Sequence, residues 1–215
     1  MADEHRFSPA ELAAVYRAIY ERRDMRHFRS DPVDPAMLQR LLQAAHHGPS
    51  VGFMQPWRFL RVTQPALRQQ IHALVEAERV ATAEALGERS DEFMQLKVEG
   101  ILECGELLVV GLMDQREEHV FGRRTLPEMD LASTACAIQN LWLAARAEGL
   151  AVGWVSLFDP DDLARLLAMP AGSKPIALLC IGHTDEFYDE PLLAREGWRQ
   201  RDDLALSVME NQWEP

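Results

Sequence analysis

Two stretches near the start of the chain repeat apolar residues every three or four positions, the period of a helix with one buried face. Each stretch opens on a polar residue followed by proline, at Ser8-Pro9 and at Asp34-Pro35. A capping side chain before proline is typical of a helix start, and Glu11 completes a capping box in the first stretch. We therefore predict amphipathic helices from Ser8 to about residue 21 and from Asp34 to about residue 46. Their predicted buried residues are Leu12, Val15, Tyr16, Ile19, Leu38, Leu41, Leu42 and Ala45.

Farther along the chain, short uninterrupted runs of apolar residues alternate with helical patterns. Such runs, where turn residues bound them, are typical of strands buried on both faces. They predict strands at residues 58–62, 107–113, 151–156 and 174–181. Helical spacing predicts further helices at residues 65 to about 86, 92–103, 127 to about 148 and 159–167. The total is a single-domain α+β layout with several helices on a modest sheet.

The helix expected at residues 127–148 should be the longest, and its apolar residues point in nearly every direction. Leu131, Cys136, Ile138 and Leu143 are among them. A helix that is apolar all round must be covered all round. In a chain of 215 residues a partner subunit is an economical source of that cover. We therefore predict an intimate homodimer.

Composition and charge narrow the choice of partners. Hydrophobic residues make up 47% of the chain and charged residues 26%, as in an ordinary globular protein. The net charge of −12 argues against nucleic acid and against an anionic membrane surface. Three widely spaced cysteines without a CxxC pair suggest free thiols in a reducing compartment. Neither a signal-peptide pattern nor an apolar run of membrane length is evident, so a cytoplasmic protein is expected.

The segment Glu-Arg-Arg-Asp-Met-Arg, which ends at Arg26, reverses this acidic field locally. If the segment is extended, Arg22, Asp24 and Arg26 line one face, with Arg23 and Met25 on the other. The planar fork of arginine suits phosphate, whereas Asp24 would repel a phosphate beside it. The segment therefore suggests a phosphorylated ligand held by arginines and a separate role for Asp24. The alternative is a surface row of ion pairs in which Asp24 only neutralises its neighbours.

Three other features are ambiguous from the residues by themselves. Residues 87–103 carry mixed charge and few apolar anchors, which fits either a mobile lid or an ordinary pair of surface helices. Residues 187–215 are either disordered or wrapped on another surface, and their two tryptophans favour wrapping. Ser156 stands at a predicted strand end, where polar side chains often address ligands. No Walker, dinucleotide-binding, zinc-protease or EF-hand motif is present, so no metal is expected.

Taken in order, these motifs resemble the FMN-dependent nitroreductase-like family over nearly the whole chain. The individual motifs are weak, but their ordered combination is specific. The resemblance implies a three-layer α/β/α sandwich with a mixed, mainly antiparallel sheet. It also implies an entwined homodimer that exchanges C-terminal arms at about residues 187–215 and binds FMN at the subunit interface. The motifs are the segment ending at Arg26, Gly48-Pro-Ser50, Gln55-Pro-Trp57, residues 128–140 and 149–160, Ile181-Gly-His and the Arg199/Arg201 tail.

The resemblance implies which residues hold the flavin. Pro49 and Ser50 match a loop that reaches the flavin of the other subunit, and Arg199 and Arg201 match tail cations near the phosphate. Lys97 is added from its position in the possible lid. The expected cofactor-binding residues are Arg22, Arg23, Asp24, Met25, Arg26, Pro49, Ser50, Gln55, Lys97, Gly153, Trp154, Val155, Ser156, Arg199 and Arg201.

Within the family, residues 122–130 and 153–160 resemble a branch that consumes reduced FMN with dioxygen. That branch makes 5,6-dimethylbenzimidazole, the lower ligand of cobalamin, and a four-carbon sugar phosphate. Ordinary nitroreductases carry a small hydroxyl residue where this chain has Asp24, which can also take a proton. Asp24 and Ser156 are thus the expected catalytic residues, and neighbouring arginines should lower the pKa of Asp24.

Under this resemblance, another protein is expected to supply the electrons that reduce FMN. No NAD(P)H site is evident in the sequence, so a separate flavin reductase is expected to supply reduced FMN. Two alternatives stay open. The chain could be an NAD(P)H-dependent FMN nitroreductase or flavin reductase, or a flavin-binding protein without catalytic activity.

Overall fold

The computed structural model describes residues 5–213 and contains a four-stranded sheet with helices on both faces. The spatial order is β1-β2-β4-β3, and every pair of neighbouring strands is antiparallel. The four strand predictions are confirmed to within one residue at each end. The parallel component among the described residues is one isolated bridge between Asp24 and Val152. The strands are β1 (Trp57–Arg61), β2 (Glu106–Leu112), β3 (Ala151–Val155) and β4 (Lys174–Gly182).

The predicted helix starts are confirmed by their caps. The Ser8 side chain and the Glu11 side chain form the reciprocal capping box, and Asp34 accepts a hydrogen bond from the backbone N–H of Ala36. The helices are α1 (Pro9–Glu21), α2 (Pro35–His46), α3 (Pro65–Ala85), α4 (Ser90–Gln95), α5 (Met129–Ala147), α6 (Pro160–Leu166) and α7 (Leu192–Arg195). Short 3₁₀ turns lie at Val51–Phe53, Gly87–Arg89, Arg116–Glu118 and Leu204–Ser207.

Two helix predictions are wrong in length. The helix expected at residues 92–103 ends at Gln95, because Leu96 is extended and Arg79 donates hydrogen bonds to the carbonyls of Met94 and Leu96. The longest helix is α3, with 21 residues, and α5 has 19. The first error matters for function, because residues 96–99 become an irregular strap instead of part of a rigid helix.

The uninterrupted apolar run of β2 is explained by a core on each face of the sheet. Leu108 and Val110 pack in the core beneath α2 and α5, whereas Leu107 and Val109 pack in the core beneath α3 and α6. Successive residues of a strand point to opposite faces, so a strand covered on both sides is apolar throughout. These two cores confirm the predicted three-layer α/β/α arrangement.

Several apolar faces lie uncovered in a single chain. Helix α1 has no buried residue, and its side chains at Val15, Tyr16 and Ile19 are between 41% and 51% exposed. The prediction that this stripe is buried is therefore wrong for one chain alone, because none of its described elements covers that face. Leu131 and Cys136 on α5 are also exposed, although Ile138 and Leu141 of that helix are fully buried. Exposed apolar residues thus lie along both α1 and α5.

The segment that follows β4 crosses the molecule near the end of α1. Tyr188 packs in a small core with Met25 and Ala151, and α7 follows it. Leu204, Leu206 and Val208 are exposed beyond that point. No helix within residues 5–213 is long and apolar enough to cross a membrane.

Candidate active site

A cavity of about 970 Å³ lies where the arginine segment meets the end of β3. Its roof has two parts: α4 with the strap that follows it, and the chain between residues 189 and 201. The cavity brings together many of the residues predicted to bind flavin. Those in its wall are Arg22, Arg23, Asp24, Arg26, Lys97, Trp154, Val155, Ser156 and Arg201.

Asp24 is held in the cavity wall by the backbone of β3. The N–H of Met25 donates to the carbonyl of Val152 at 3.0 Å, and the N–H of Trp154 donates to Oδ1 of Asp24 at 2.9 Å. The other oxygen, Oδ2, accepts from Nη2 of Arg26 at 2.5 Å. The first α-helix ends at Glu21, so the segment is free to extend and pair with β3 in this way. The carboxylate is therefore fixed at both oxygens and still faces the cavity.

The pKa of Asp24 is raised overall, so the prediction of a lowered pKa is wrong, although the neighbouring arginines act in the predicted direction. Burial among the cavity walls favours the neutral acid, and it outweighs Arg26, the N–H of Trp154 and Arg22, which all favour the anion. The side chain keeps 41% of its surface open, but that surface faces the cavity instead of bulk water. Asp24 is consequently a stronger base than an ordinary aspartate once it is ionised.

This raised pKa predicts a specific pH dependence of stability. A carboxyl group with a raised pKa in the folded state stabilises the fold below its ordinary pKa of about 3.9, and this contribution is lost as pH rises through the folded-state pKa. The comparison is between the free energies of unfolding of the ligand-free wild type and of ligand-free Asp24→Asn. The wild-type value minus the variant value should fall as pH rises across this window. Urea unfolding at several pH values measures it. A difference that grows with pH would show that Asp24 is stabilised as the anion.

Among the cations of the cavity, Arg22, Arg23 and Arg201 lack an ion-pair partner within residues 5–213, and of these only Arg23 donates to backbone carbonyls through its guanidinium. The Arg22 guanidinium lies 4.5 Å from the centre of the Trp142 ring. Its pKa is lowered, first by burial and then by repulsion from Arg23 and Arg201, although Asp24 opposes the shift. A half-buried cation that is repelled by neighbouring cations forms a favourable site for an anion, because the anion relieves the repulsion.

Arg23 and Arg26 are largely occupied by the protein. Arg23 donates to the carbonyls of Tyr20, Arg22 and Asp189. Arg26 donates to Asp24 and, at 3.0 Å, to the carbonyl of Trp154. Nε of Arg23 and Nη1 of Arg26 are buried without a hydrogen-bond partner. These two arginines thus shape the cavity more than they offer a phosphate site.

Two residues predicted to bind flavin, Met25 and Gly153, present no side chain to the cavity. Met25 is fully buried, because the period of two in an extended segment turns it away from the face of Asp24 and Arg26. Gly153 is buried too, and a Cβ there would lie 2.2 Å from the carbonyl oxygen of Met25. Gly153 therefore allows the arginine segment to lie close against β3 and offers no side-chain contact of its own.

Four other predicted contacts lie outside the cavity. Arg199 pairs with Asp202 on the exposed tail. Pro49, Ser50 and Gln55 belong to the loop before β1, in which the Ser50 hydroxyl accepts from the N–H of Gln55 at 3.1 Å. Their contact with flavin in another subunit stays a prediction.

The roof of the cavity contains residues that the sequence patterns do not indicate. The centre of the Trp198 ring lies 3.5 Å from the guanidinium carbon of Arg89 and 6.3 Å from the centre of the Phe93 ring. This contact joins α4 to the tail. Lys97 lines the cavity and pairs with Glu103 at 2.5 Å. Residues 93–98 of the segment predicted as a possible lid therefore line this cavity, whereas a lid that opens and closes stays a prediction.

The tail was expected to lie over a partner subunit, but its first part lies over its own chain. Asp189, Leu193, Trp198 and Arg201 all line the cavity beside the arginine segment of the same chain. Tyr188 anchors this part, because its hydroxyl accepts from the N–H of Arg26 and contacts Nδ1 of His27 at 2.6 Å. Exchange of the arm between subunits stays a prediction.

The donor set of the cavity fits an aromatic phosphate ester such as FMN. Arg22 and Arg201 offer positive charge without ion-pair partners, and Trp198, Phe93 and Trp154 offer aromatic surface. Within residues 5–213 no group of three or more His, Cys, Asp or Glu side chains is arranged to hold a metal ion.

Comparison with known proteins gives matches over most of the chain. The nitroreductase family matches residues 19–183. A 5,6-dimethylbenzimidazole synthase from Rhodobacter capsulatus is 41% identical over 196 residues, covering 90% of this chain and 95% of that protein. Another, from Rhodospirillum rubrum, is 43% identical over 197 residues, covering 91% of this chain and 93% of that protein.

Solved structures share the fold at lower identity. Iodotyrosine deiodinase, bound to FMN and 3-iodo-L-tyrosine, has a TM-score of 0.71 at 22% identity, covering 93% of this chain and all of that one. A BluB-like flavoprotein from Clostridium difficile 630 has a TM-score of 0.70 at 15% identity, covering 92% of this chain and 99% of that one. At these identities the likeness concerns the fold alone.

Proposed function

This chain belongs to the nitroreductase family, and we propose that within it the chain is a 5,6-dimethylbenzimidazole synthase of the BluB type. In this reaction reduced FMN and dioxygen yield 5,6-dimethylbenzimidazole, the lower ligand of cobalamin, and a four-carbon sugar phosphate. Two synthases at 41% and 43% identity over about nine-tenths of the chain support the proposal. The observation that carries it is Asp24, a carboxylate with a raised pKa in the wall of the cavity.

The cavity residues divide the work of binding. Arg22 and Arg201 take the phosphate of FMN, because Arg26 and Lys97 are in ion pairs, Arg23 is bound to backbone carbonyls, and an arginine fork matches phosphate oxygens. Trp154, Val155 and Ser156, at the end of β3, are available to the flavin ring. Reduced FMN supplies both the electrons for dioxygen and the carbon atoms of the product.

Asp24 takes a proton from the ribityl side of the bound flavin. The raised pKa makes this carboxylate a better base, since a base is most effective when its pKa approaches the working pH. The N–H of Trp154 and the guanidinium of Arg26 fix its two oxygens, so the proton acceptor stands in one orientation. Arg26 acts as a positioning residue for Asp24 in this scheme.

Ser156 follows β3 and lines the cavity, and its hydroxyl has no hydrogen-bond partner among residues 5–213. Its loss should remove a hydrogen bond to the flavin. We expect Ser156→Ala to lower the rate of 5,6-dimethylbenzimidazole formation by roughly tenfold, corresponding to about 1.4 kcal/mol, while FMN still binds. Single-turnover product analysis measures the rate. Ser30→Ala, at an exposed position away from the cavity, serves as the control, and equal rates for both variants would remove Ser156 from the reaction.

The enzyme works as a homodimer in this proposal. The uncovered apolar stripe of α1, the exposed residues of α5 and the loop at Pro49 and Ser50 together suit a second copy of the chain. FMN would then lie between the cavity of one chain and that loop of its partner.

Substitution on α1 tests this assembly. Val15 and Val80 are 45% and 47% exposed, on α1 and on the outer face of α3. Light scattering should show twice the chain mass of 24.4 kDa for the wild type and for Val80→Glu. Val15→Glu should weaken self-association by about tenfold or more, because a charge buried at an interface costs several kcal/mol. A dimer of unchanged affinity in Val15→Glu would place the interface elsewhere.

A separate flavin reductase supplies reduced FMN to the synthase in this proposal.

One experiment distinguishes the synthase from the two alternative functions. The protein is mixed with chemically reduced FMN in air, and the products are analysed. Formation of 5,6-dimethylbenzimidazole supports the synthase. Intact FMN together with NAD(P)H consumption would instead show a nitroreductase or flavin reductase, and intact FMN without turnover would show binding only.

A further inference from the structure

Two free cysteines belong to one apolar cluster of the core beneath α3. Cys104 is 3% exposed and Cys180 is fully buried, and both belong to the same apolar cluster. Cys180 pairs in register with Leu107 on β2, and a Cβ at Gly182 would lie 3.7 Å from Cα of Cys104, so the turn that holds Cys104 packs against the end of β4 that holds Cys180. Neither thiol has a role in the proposed reaction. The third cysteine, Cys136, is exposed on α5 and stands apart from this pair.

The dithiol lies directly behind the candidate active site. Cys180 on β4 pairs in register with Gly153 on β3. A Cβ at Gly153 would lie 3.1 Å from Nη1 of Arg26, and this nitrogen is buried without a partner. The same Arg26 acts electrostatically on Cys180. The arginine that holds Asp24 therefore stands between the cavity and the dithiol.

Cys104 also connects to the roof of the cavity through the chain. Lys97 and Val98 line the cavity, and Gly100 is buried against the Phe28 ring, where a Cβ would lie 2.5 Å from it. The N–H of Cys104 donates to the carbonyl of Gly100 at 2.9 Å. Cys104 thus belongs to the fixed turn from which the roof segment emerges.

The two thiols have different environments, as a nucleophile and its resolving partner require. Nη1 of Arg68 donates to the carbonyl of Cys104 at 2.7 Å and lies 3.9 Å from its sulfur. Contact with Cys180 and the nearby Arg68 lower the pKa of Cys104, against the effect of burial. The pKa of Cys180 is raised by its contact with Cys104 and by burial. A thiolate beside a cation is the reactive form of cysteine.

We propose that Cys104 and Cys180 are a site of reversible oxidation by hydrogen peroxide, closing to a disulfide behind the active site. The Cys104 thiolate attacks one peroxide oxygen, the O–O bond breaks, and the leaving hydroxide takes a proton to become water. The Cys180 sulfur then displaces hydroxide from the sulfenic acid of Cys104, forming the S–S bond and a second water. Two thiols are oxidised, and one peroxide is reduced to two waters.

The source of the oxidant rests on the proposed function. Reduced flavin that reacts with dioxygen without fragmentation yields oxidised flavin and hydrogen peroxide, and this occurs in the cavity next to the dithiol. The disulfide would tie the turn at Cys104 covalently to β4 and so restrain the base of the roof. Thiol reductants of a reducing compartment would reopen it.

Peroxide treatment of the ligand-free protein tests the site without any flavin chemistry. After treatment at neutral pH and blocking of remaining thiols, the intact chain should have lost two hydrogen atoms. Digestion without reductant should give one cross-linked peptide pair joining Cys104 to Cys180, and dithiothreitol should release it. Cys136→Ser should behave in the same way, whereas Cys104→Ser and Cys180→Ser should form no such link.

Two results would overturn the site. One is wild-type protein in which both thiols can still be alkylated after peroxide treatment and unfolding. The other is oxidation of Cys104 to sulfinic acid without a link to Cys180. Because the wild type itself is measured, poor folding of a serine variant does not affect the test. A failure to make 5,6-dimethylbenzimidazole would refute the proposed function and leave this result standing.

Discussion

Asp24→Asn should abolish 5,6-dimethylbenzimidazole formation while FMN continues to bind. Removal of a general base lowers a rate by roughly 100- to 10,000-fold, which leaves no detectable product on the time scale of the wild-type reaction. Binding should survive, because Arg22 and Arg201 remain and the asparagine oxygen can still accept from the N–H of Trp154. Product yield after mixing with reduced FMN in air, together with FMN affinity from fluorescence quenching, measures both effects.

The chain offers a matched control for this substitution. Asp31 pairs with Arg29 at 2.7 Å, two residues away in sequence, as Asp24 pairs with Arg26. Asp31 lies outside the cavity, so Asp31→Asn removes a similar ion pair without touching the site. It should keep wild-type product yield. Full yield from Asp24→Asn would exclude Asp24 as the base, and loss of yield in both variants would point to a structural effect.

Arg22→Gln should weaken FMN binding and spare riboflavin, which lacks the phosphate. A hydrogen bond to a charged group contributes about 1.5–3 kcal/mol, so affinity for FMN should fall by roughly 10- to 150-fold. Riboflavin binding should change little, although the contact of Arg22 with Trp142 is also lost. Parallel titrations of the two flavins by fluorescence quenching measure the difference.

Two other arginines make this prediction specific. Arg165→Gln changes an exposed arginine of α6 that pairs with Asp162, and it should affect neither flavin. Arg26→Gln should instead reduce product formation more than phosphate discrimination, because Arg26 holds Asp24. Equal losses of FMN and riboflavin affinity in Arg22→Gln would assign the phosphate to another group.

Local patterns predicted the framework of this fold well. The capping side chains Ser8 and Asp34, each followed by proline, locate the starts of α1 and α2, because these signals act within one helical turn. The apolar runs locate all four strands, because a strand covered on both faces must be apolar throughout. The wrong predictions depended on contacts between residues that are distant in sequence. The helix expected at 92–103 stops early because Arg79, on a different helix, binds the carbonyls where it would continue.

The candidate site was predictable in part for the same reason. The period of two in the arginine segment places Asp24 and Arg26 together, and it also explains why Met25 turns into the core. The sign of the pKa shift was not predictable, since it depends on how much protein surrounds Asp24 in space. Trp154 on β3 and Trp198 in the tail are both far in sequence from the arginine segment that they meet at the cavity. The tail also has no periodic pattern to indicate where it packs.

If flavin is consumed at this site, its atoms must appear in the products. Wild-type protein in excess is mixed in air with reduced FMN that is isotopically labelled in its aromatic methyl groups. We expect every FMN molecule lost to appear as one labelled 5,6-dimethylbenzimidazole, with a four-carbon sugar phosphate in equal amount. Complete recovery of the label as intact oxidised FMN would contradict the account.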